Sequence, residues 1–429
     1  MIVPLMEAVG GTCGGKAGAL GVLLRAGLPV PDGFVVPFGV YRGAVRELGL
    51  ERIGGEPDGA EVARRAIEAR PPDAGLLDAL GRGLGALGCG AGELSDFPVA
   101  VRSSAADEDT GQASAAGRYE SFLAVRGVGA VAQAVRACWA SLFSPRAVGG
   151  SAMAVIVQLQ VDAEVSGVMF TPAGPGDVTR IEASWGLGPS VVGGTVTPDS
   201  YRVAADGSLT RTVADKRIRL DRRGERLVLS DVPAGSRDRP AIDDATALRL
   251  AGLGEEVAAL LGGPQDIEWA IAGGHVWLLQ ARPITVAPPP PSHTSATAAA
   301  LPQPSFAPDV PAALTGTPGS HGRVTGTVRI VRGPRDFPRV RPGDILVCPF
   351  TDPAWTPLLR IAGGVVTEVG GVLSHAAIVA REHAIPAVLG IRDATSRLHD
   401  DTLITIDGTT GTITVTDHPI SEGAGSGPS

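Results

Sequence analysis

The chain has 429 residues, 37 of them basic and 45 acidic, with a formal net charge of −8 at pH 7, and its length allows two or three domains. An acidic balance without a run of lysine or arginine argues against nucleic acid as a partner, because binding to the phosphate backbone needs clustered basic side chains. The four cysteines form no Cys-x-x-Cys pair and no apolar stretch reaches the length of a membrane span. We therefore expect a cytoplasmic protein with reduced thiols and no membrane partner.

Lysine is nearly absent from this sequence. Only Lys16 and Lys216 occur among the 37 basic residues. Lysine is a compact point charge on a slim stem, whereas arginine is a wider planar fork. We therefore expect Lys16 and Lys216 to occupy positions that need a compact positive charge and cannot accommodate the wider arginine side chain.

The first predicted element is a glycine-rich loop at 10–15 that leads into a helix ending at Gly27. Gly10, Gly15 and Lys16 fit the spacing of a Walker A motif, but Ala17 stands where that motif needs a hydroxyl, so the match is incomplete. Small residues would let the backbone approach phosphate oxygens. The alternative is an ordinary surface loop.

A short apolar strand at 98–101 is followed by Arg102 and two serines, and an acidic cluster comes next. An arginine at the end of a strand can hold a phosphate through two parallel hydrogen bonds. The alternative is that Arg102 neutralises Asp107 or Asp109. Further along, 153–160 reads as a buried strand, and 200–285 as alternating strands with one helix at 243–261.

Period-2 alternation predicts a hairpin between 265–270 and 275–283. Asp266 and Glu268 then share one face, and Gln280 and Arg282 share one face of the partner strand. Such oxygens beside a guanidinium suit Mg²⁺ with a polyphosphate, because Mg²⁺ prefers oxygen ligands that it shares with phosphates. The alternative is a structural salt bridge between Glu268 and Arg282 across the strands.

A proline- and alanine-rich linker follows, and then a stretch that alternates glycine with β-branched residues. Near its end, a strand at 361–367 runs into two glycines, and Ser374 is expected to cap a helix at 376–383. His375 would lie in the first turn of that helix, where backbone amides favour an anion. A histidine there is suited to carrying a phosphoryl group, and the alternative is an ordinary capping histidine.

Four motifs together resemble the phosphoenolpyruvate synthase, pyruvate phosphate dikinase and rifampicin phosphotransferase family. They are Gly-Gly-Lys-Ala-Gly-Ala-Leu from Gly14, Val-Ala-Val-Arg-Ser-Ser-Ala from Val99, Asp-Ile-Glu-Trp-Ala with Gln-Ala-Arg-Pro in the hairpin, and Gly-Gly-Val-Leu-Ser-His-Ala-Ala from Gly370. The resemblance implies a multidomain α/β and α+β fold. It places an ATP-grasp nucleotide-binding domain at 1–285, with subdomains at about 1–198 and 199–285. A linker at 286–314, a swivelling β/β/α phosphohistidine domain at 315–416 and a flexible tail at 417–429 would follow.

The resemblance also implies roles for single residues. His375 would be the covalent phosphoryl carrier, and Glu268 and Gln280 would hold Mg²⁺ or Mn²⁺. The residues expected to contact ATP are Lys16, Arg102, Gln158, Glu182, Asp266, Glu268, Gln280 and Arg282. Among these, Lys16, Arg102 and Arg282 would stabilise charge on the phosphates, Gln158 would lie at the adenine and Glu182 at the ribose. Lys216 is a further candidate for a nucleotide contact.

The function implied by the resemblance is an ATP-dependent, dikinase-type phosphotransferase. His375 would take the β-phosphoryl group of Mg·ATP, with release of AMP and Pi, and pass it to an acceptor. Full-length synthases and dikinases carry a separate acceptor domain, which we expect to be missing here. The acceptor would then be the hydroxyl of a small molecule. The alternatives are a donor subunit that serves a separate acceptor protein and a nucleotide-binding module without turnover.

Overall fold

The computed structural model describes residues 2–50, 59–88, 97–106, 119–144, 152–286 and 313–416. The predicted tail at 417–429 lies outside the described residues, as does nearly all of the predicted linker. The acidic cluster that contains Asp107 and Asp109 also lies outside them, and so does Cys89. No helix among the described residues is long and apolar enough to cross a bilayer.

The chain folds into two compact units. The first comprises Met1–Ala287 together with the short segments Asp352–Thr356 and Leu373–His375, and the second comprises Pro288–Thr351, Pro357–Val372 and Ala376–Ser429. Both units combine sheets with helices. The mixed α/β and α+β multidomain class expected from the sequence is thereby confirmed.

Two sheets form the framework of the first unit. One has the strand order β1-β2-β5-β3-β4, and its strands are β1 (Val3–Pro4), β2 (Gly33–Val36), β3 (Val99–Ala105), β4 (Ser121–Val125) and β5 (Met153–Leu159). The other has the order β13-β12-β6-β7-β8-β9, and its strands are β6 (Val165–Phe170), β7 (Thr179–Trp185), β8 (Asp199–Val203), β9 (Leu209–Thr212), β12 (Gln265–Ala272) and β13 (His275–Pro283). A separate two-stranded hairpin joins β10 (Ile218–Arg223) and β11 (Arg226–Asp231).

The helices of the first unit cover these sheets. They are α1 (Gly10–Arg25), α2 (Phe38–Glu47), α3 (Gly59–Ala69), α4 (Ala74–Leu87), α5 (Gly127–Ser141), α6 (Pro189–Val192) and α7 (Asp244–Leu261). Helix α1 contacts β3 and β5 in one sheet and β13 in the other, so that one hydrophobic core spans both sheets. Helix α7 begins where the sequence predicts, because the carboxylate of Asp243 accepts a hydrogen bond from the Thr246 N–H and caps the helix.

The second unit is built on an eight-stranded sheet of order β14-β21-β20-β16-β17-β18-β19-β15. Its central strands β16 to β19 run parallel, and the remaining pairings are antiparallel. The strands are β14 (Leu314–Thr315), β15 (Thr317–Ser320), β16 (Arg323–Ile330), β17 (Ile345–Cys348), β18 (Gly364–Thr367), β19 (Ala387–Leu389), β20 (Leu403–Asp407) and β21 (Thr412–Val415). The helices in this part of the sequence are α8 (Thr356–Leu359), α9 (His375–Glu382) and α10 (Ala394–Arg397).

The cysteines that the structure describes are Cys13, Cys138 and Cys348, and all three side chains are buried outside any disulfide. Burial raises the pKa of the Cys348 thiol well above its ordinary value, and the nearby Glu368 carboxylate adds to the shift. Cys348 therefore stays a protonated, unreactive thiol at neutral pH.

Candidate functional site

The predicted hairpin is formed by β12 and β13. Its antiparallel register sets Asp266 opposite Arg282 and Glu268 opposite Gln280. Because residues two apart in a strand point to the same side, all four side chains lie on one face of the hairpin. The hairpin and its shared polar face, both predicted from the period-2 pattern, are confirmed.

Arg282 is held by Asp266 and not by Glu268. Its Nε donates to Oδ2 of Asp266 at 2.8 Å, and its Nη2 lies 2.7 Å from the same oxygen in an ion pair. Both side chains are more than nine-tenths buried, so the ion pair is little screened by water. The pair fixes the orientation of the guanidinium and leaves the Glu268 carboxylate outside the salt bridge that was the structural alternative.

Arg102 reaches the same face from the other sheet of the first unit. Its Nη1 donates to the carbonyl oxygen of Leu279 at 3.1 Å and lies 3.8 Å from Oε2 of Glu268. The side chains of Arg102 and Glu268 are 15% and 24% exposed, so both remain accessible to a ligand. Arg102 sits within β3, where a strand end was expected, because the strand continues through both serines that follow.

Glu268 and Gln280 offer two neighbouring side-chain oxygens for a metal ion. They are cross-strand neighbours with partial solvent access. No group of three or more His, Cys, Asp or Glu side chains among the described residues is arranged to hold a metal by itself. The pair fits Mg²⁺, which commonly takes one or two protein oxygens and completes its octahedron with phosphate oxygens and water.

The glycine-rich segment is helical, where the sequence predicted a loop. Helix α1 starts at Gly10 and is interrupted by a non-helical backbone at Gly14, with φ 83° and ψ 166°. Lys16 follows two residues later, in the first turn after the break. The break therefore creates a second helix start inside α1, and Lys16 belongs to it.

Ser104, which lies on β3, stabilises this second helix start through two hydrogen bonds. Its hydroxyl donates to the carbonyl oxygen of Cys13 at 2.7 Å and accepts from the N–H of Ala17 at 3.1 Å. The hydroxyl thus caps the helix after the break from a residue 87 positions away in the sequence. Sequence reasoning missed this role, because nothing local to Ser104 indicates which backbone groups it meets.

Gly14 is expected to tolerate no side chain. A Cβ atom there would lie 2.3 Å from the carbonyl oxygen of Ser104, and a φ of 83° is strained for any L residue. We expect Gly14→Ala to lower the free energy of unfolding by at least about 1–3 kcal/mol, measured by denaturant titration. Gly11→Ala is the matched control, because a Cβ at Gly11 meets nothing within 4 Å and alanine favours a helix. Equal stability of the two variants would contradict this account.

His375 is the first residue of α9, as predicted, and is 3% exposed. The hydroxyl of Ser374 is buried and makes no hydrogen bond within the described structure, so the side-chain cap expected from this serine does not form. The turn before the histidine is held by Arg381 instead. Its Nη1 donates to the carbonyl oxygens of Val372 and Gly319, at 2.8 and 2.9 Å. Arg381 thus positions the segment that carries His375.

Glu182 lies on β7 and is 3% exposed. Within the first unit, its carboxylate accepts a hydrogen bond from the backbone N–H of Leu373 at 3.2 Å. Glu182 therefore contacts the backbone two residues before His375. The sequence predicted a ribose contact for this carboxylate, and its observed hydrogen bond is to the histidine segment.

Gln158 occupies the interior of the first sheet. It is 1% exposed, and its Nε2 donates to the carbonyl oxygen of Pro31 at 2.8 Å. The side chain ties β5 to the turn before β2 and presents no surface to a nucleotide in this structure. The buried side chain gives no support to the expected adenine contact.

Lys216 is likewise enclosed. Its Nζ lies 2.6 Å from Oδ1 of Asp199 and 3.0 Å from the carbonyl oxygen of Ala214, and both charged side chains are fully buried. The other oxygen of Asp199 accepts from the Ala241 N–H at 2.7 Å. Lys216 is thus part of a buried structural network, and the expectation of a nucleotide contact is corrected.

Comparison with known proteins adds an independent observation. The family model described as "Pyruvate phosphate dikinase, AMP/ATP-binding domain" matches residues 11–301, and "PEP-utilising enzyme, mobile domain" matches residues 340–411. The probable phosphoenolpyruvate synthase of Methanothermobacter thermautotrophicus is 37% identical over 94% of this chain and 61% of its own length. The phosphoenolpyruvate synthases of Aeropyrum pernix and Pseudomonas aeruginosa are 36% and 34% identical, each over 93% of this chain and 56% of their own length. The chain thus spans somewhat more than half the length of these relatives.

Proposed function

Because the chain belongs to the pyruvate phosphate dikinase and phosphoenolpyruvate synthase family, we propose that it is an ATP-dependent phosphotransferase with His375 as the phosphoryl carrier. An imidazole nitrogen of His375 bonds to the β-phosphorus of ATP. The bond from that phosphorus to the oxygen bridging the α-phosphorus breaks, and AMP leaves with the oxygen and the electron pair. Water then attacks the γ-phosphorus and releases Pi, so that one phosphoryl group stays on the histidine.

The observation that carries this proposal is the convergence of charged groups on one face of the β12–β13 hairpin. Arg102 from β3 lies within 3.8 Å of Glu268, and the Asp266–Arg282 pair lies beside it in register. Two fixed guanidinium groups suit a polyphosphate, because they bind phosphate oxygens through parallel hydrogen bonds. Charge developing on the phosphates would be stabilised without any rearrangement of these side chains.

The same face of the β12–β13 hairpin also provides oxygen ligands for a metal ion. We propose that Glu268 and Gln280 hold Mg²⁺ together with phosphate oxygens of ATP. Bound there, the ion would neutralise phosphate charge during the transfer. Lys16, in the helical turn after Gly14, is proposed to add a compact positive charge to the same phosphates.

The acceptor is proposed to be a small molecule. The relatives of this chain are named phosphoenolpyruvate synthases, so pyruvate is the first acceptor to test, and it would accept the phosphoryl group through its enolate oxygen and not through a hydroxyl. Transfer to a separate acceptor protein is the alternative. Phosphoryl loss from labelled protein on addition of pyruvate alone supports the first, and loss only with a second protein supports the alternative.

The proposal is tested with ATP labelled at either the β- or the γ-phosphorus. We expect the β-label, and not the γ-label, to remain on the protein in an acid-labile form after turnover, with AMP and Pi in solution. Histidine phosphoramidates are hydrolysed in acid, whereas phosphoserine is not, so acid treatment reports the kind of bond formed. Formation of ADP with the γ-label in the product would show an ordinary kinase and reject the proposal.

Removing the Glu268 carboxylate is expected to weaken the metal site. We expect Glu268→Gln to raise the Mg²⁺ concentration for half-maximal label transfer by at least about tenfold, because a neutral amide binds the ion more weakly. Glu256→Gln, at an exposed position of α7, is the control. A Glu268→Gln protein with an unchanged Mg²⁺ dependence would remove Glu268 from the metal site.

A further inference from the structure

The charged groups proposed to bind the phosphates come from two different sheets of the first unit. Arg102 lies on β3 of the first sheet, and Glu268 lies on β12 of the second. Among the described strands, the chain passes from the first sheet to the second once, through residues 160–164 between β5 and β6. We call these residues the crossover segment. How firmly this segment is held therefore affects how precisely the two sheets present their charges to one ligand.

Backbone hydrogen bonds attach the two ends of the crossover segment to different sheets. The N–H of Gln160 donates to the carbonyl oxygen of Pro98, directly before β3, at 3.1 Å. At the other end, the N–H of Glu164 donates to the carbonyl oxygen of Ile271 on β12 at 2.9 Å, and its own carbonyl oxygen accepts from the Gly186 N–H at 2.8 Å. Each sheet thus holds one end of the segment, and the middle depends on other contacts.

A side chain also holds the end of the segment at the first sheet. Oε1 of Gln160 accepts a hydrogen bond from the N–H of Ala124 on β4 at 2.5 Å. Ala124 is buried with a φ of 60°, a conformation that is strained for alanine and persists only where neighbouring groups hold it. The first sheet and the start of the crossover segment are thus fixed to each other.

The middle of the crossover segment is held by the β10–β11 hairpin, to which no role has been assigned so far. Nε of Arg222 on β10 donates to Oδ1 of Asp162 at 2.7 Å, and its Nη2 contacts Oδ2 of the same carboxylate. Two parallel bonds between a guanidinium and a carboxylate fix the geometry more sharply than one contact does. The Arg222 guanidinium holds the pKa of Asp162 below its ordinary value, so the carboxylate stays charged at neutral pH.

The hairpin is itself attached to the second sheet. The N–H of Leu187 donates to the carbonyl oxygen of Leu220 on β10 at 2.8 Å, and Gly186 forms an isolated parallel bridge with the same residue. The Leu220 side chain packs against a small apolar cluster that includes Ala163 of the crossover segment. The hairpin therefore brings its guanidinium to the crossover segment from a fixed base.

The same apolar cluster is connected to the phosphate-binding face through Leu279 on β13. The side chain of Leu279 packs against the cluster, and its carbonyl oxygen accepts a hydrogen bond from Nη1 of Arg102 at 3.1 Å. Nη1 of Arg102 lies 3.8 Å from Oε2 of Glu268. A displacement of the crossover segment against β13 would therefore change the distance between these two charged groups.

We propose that Asp162 and Arg222 are positioning residues for ATP binding, because their ion pair holds the crossover segment and so keeps the two sheets in the arrangement that binds the phosphates. The inference rests on the proposed function in taking Mg·ATP as the ligand. Neither residue touches the ligand in this account. A ligand that must contact both sheets binds more weakly when only a fraction of the molecules has the competent arrangement, since the apparent Kd rises by the inverse of that fraction.

Reversing the charge of Arg222 tests the proposal in the full chain. The Asp162 side chain is 50% exposed, so we expect Arg222→Asp to raise the Kd for Mg·ATP by about fivefold, the upper range for a surface ion pair, as measured by isothermal titration calorimetry. The rate of β-label transfer should fall as well, because changes at a hinge alter binding and turnover together. Adding Asp162→Arg restores the pair with reversed charges and should return the Kd to within about twofold of the parent.

Arg211→Asp is the matched control. Arg211 on β9 forms an exposed ion pair with Asp244 in the same unit, away from the crossover segment, so the same reversal there should leave the Kd unchanged. Hydrogen exchange of the crossover segment, followed by mass spectrometry, reports its positioning without reference to ATP. We expect faster exchange in Arg222→Asp and the parent rate in Arg211→Asp.

The outcomes separate this inference from the proposed phosphotransfer. Normal labelling of His375 with an unchanged Kd in Arg222→Asp would reject the positioning role alone, even if thermal unfolding showed a loss of stability. A higher Kd that the reversed pair does not lower would also reject it, because the effect would then not come from the ion pair. Absence of label on His375, with a Kd that still depends on Arg222, would reject the phosphoryl carrier and retain the positioning role.

Discussion

Replacing His375 with alanine is expected to abolish the acid-labile labelling of the protein by β-labelled ATP. The imidazole is the only group in the proposed reaction that forms a bond to phosphorus on the protein. Loss of a catalytic nucleophile typically lowers turnover by about 10⁴-fold or more. We also expect AMP formation to fall by a comparable factor, because AMP leaves only when the histidine attacks.

The control for this experiment is His383→Ala. His383 directly follows α9 and is exposed, so its loss removes a histidine from the same region without touching the proposed reaction. ATP binding to His375→Ala, measured by calorimetry, should stay close to that of the parent, since the phosphate contacts are made by other residues. If acid-labile labelling persists in His375→Ala and disappears in His383→Ala, the phosphoryl carrier is His383 and the assignment to His375 is wrong.

Replacing Lys216 with methionine is expected to destabilise the first unit by about 3–5 kcal/mol, the usual cost of removing one member of a buried ion pair. The Asp199 carboxylate would be left buried with only backbone N–H groups around it. A loss of this size is a large part of the ~5–15 kcal/mol that stabilises a typical domain. Denaturant unfolding followed by far-UV circular dichroism measures it.

A neighbouring ion pair provides the matched control. Arg217 and Asp215 lie 2.8 Å apart, but their side chains are 57% and 38% exposed, so Arg217→Met should change the stability by under about 1 kcal/mol. If Lys216 contacted a nucleotide, Lys216→Met would instead raise the KM for ATP and leave unfolding unchanged. That result would restore the original expectation and reject the structural role.

Local patterns predicted the parts of the site that depend on one stretch of sequence. The alternation around Asp266 and Glu268 was sufficient to predict the hairpin and its polar face, because side chains in a strand alternate with period two. His375 lies in a first helical turn as predicted, although the Ser374 side-chain cap on which that prediction relied does not form. The four motifs indicated the family, which the matches to both halves of the chain confirm.

Predictions that required knowledge of long-range neighbours were less successful. Gln158 and Lys216 are polar residues within strand-like sequence, and such residues can face either a ligand or the interior. The acceptors that they meet are Pro31 and Asp199, 127 and 17 residues away, and neither is indicated by local sequence. The scarcity of lysine did single out Lys216. The enclosed space around its Nζ explains why a slim lysine, and not a wider arginine, occupies this position.

The sequence by itself determined the fold class, the family, the polar face of the hairpin and the position of His375 at a helix start, because each depends on short-range periodicity or a contiguous motif. The tertiary structure alone decided which polar groups are available. It turned Lys216 and Gln158 inward, brought Arg102 to Glu268 from another sheet, and placed Ser104 against the break at Gly14. It also left the buried Ser374 hydroxyl without a hydrogen-bond partner among the described residues. Burial and hydrogen-bond satisfaction are properties of the packed chain, since they depend on residues that meet only after folding.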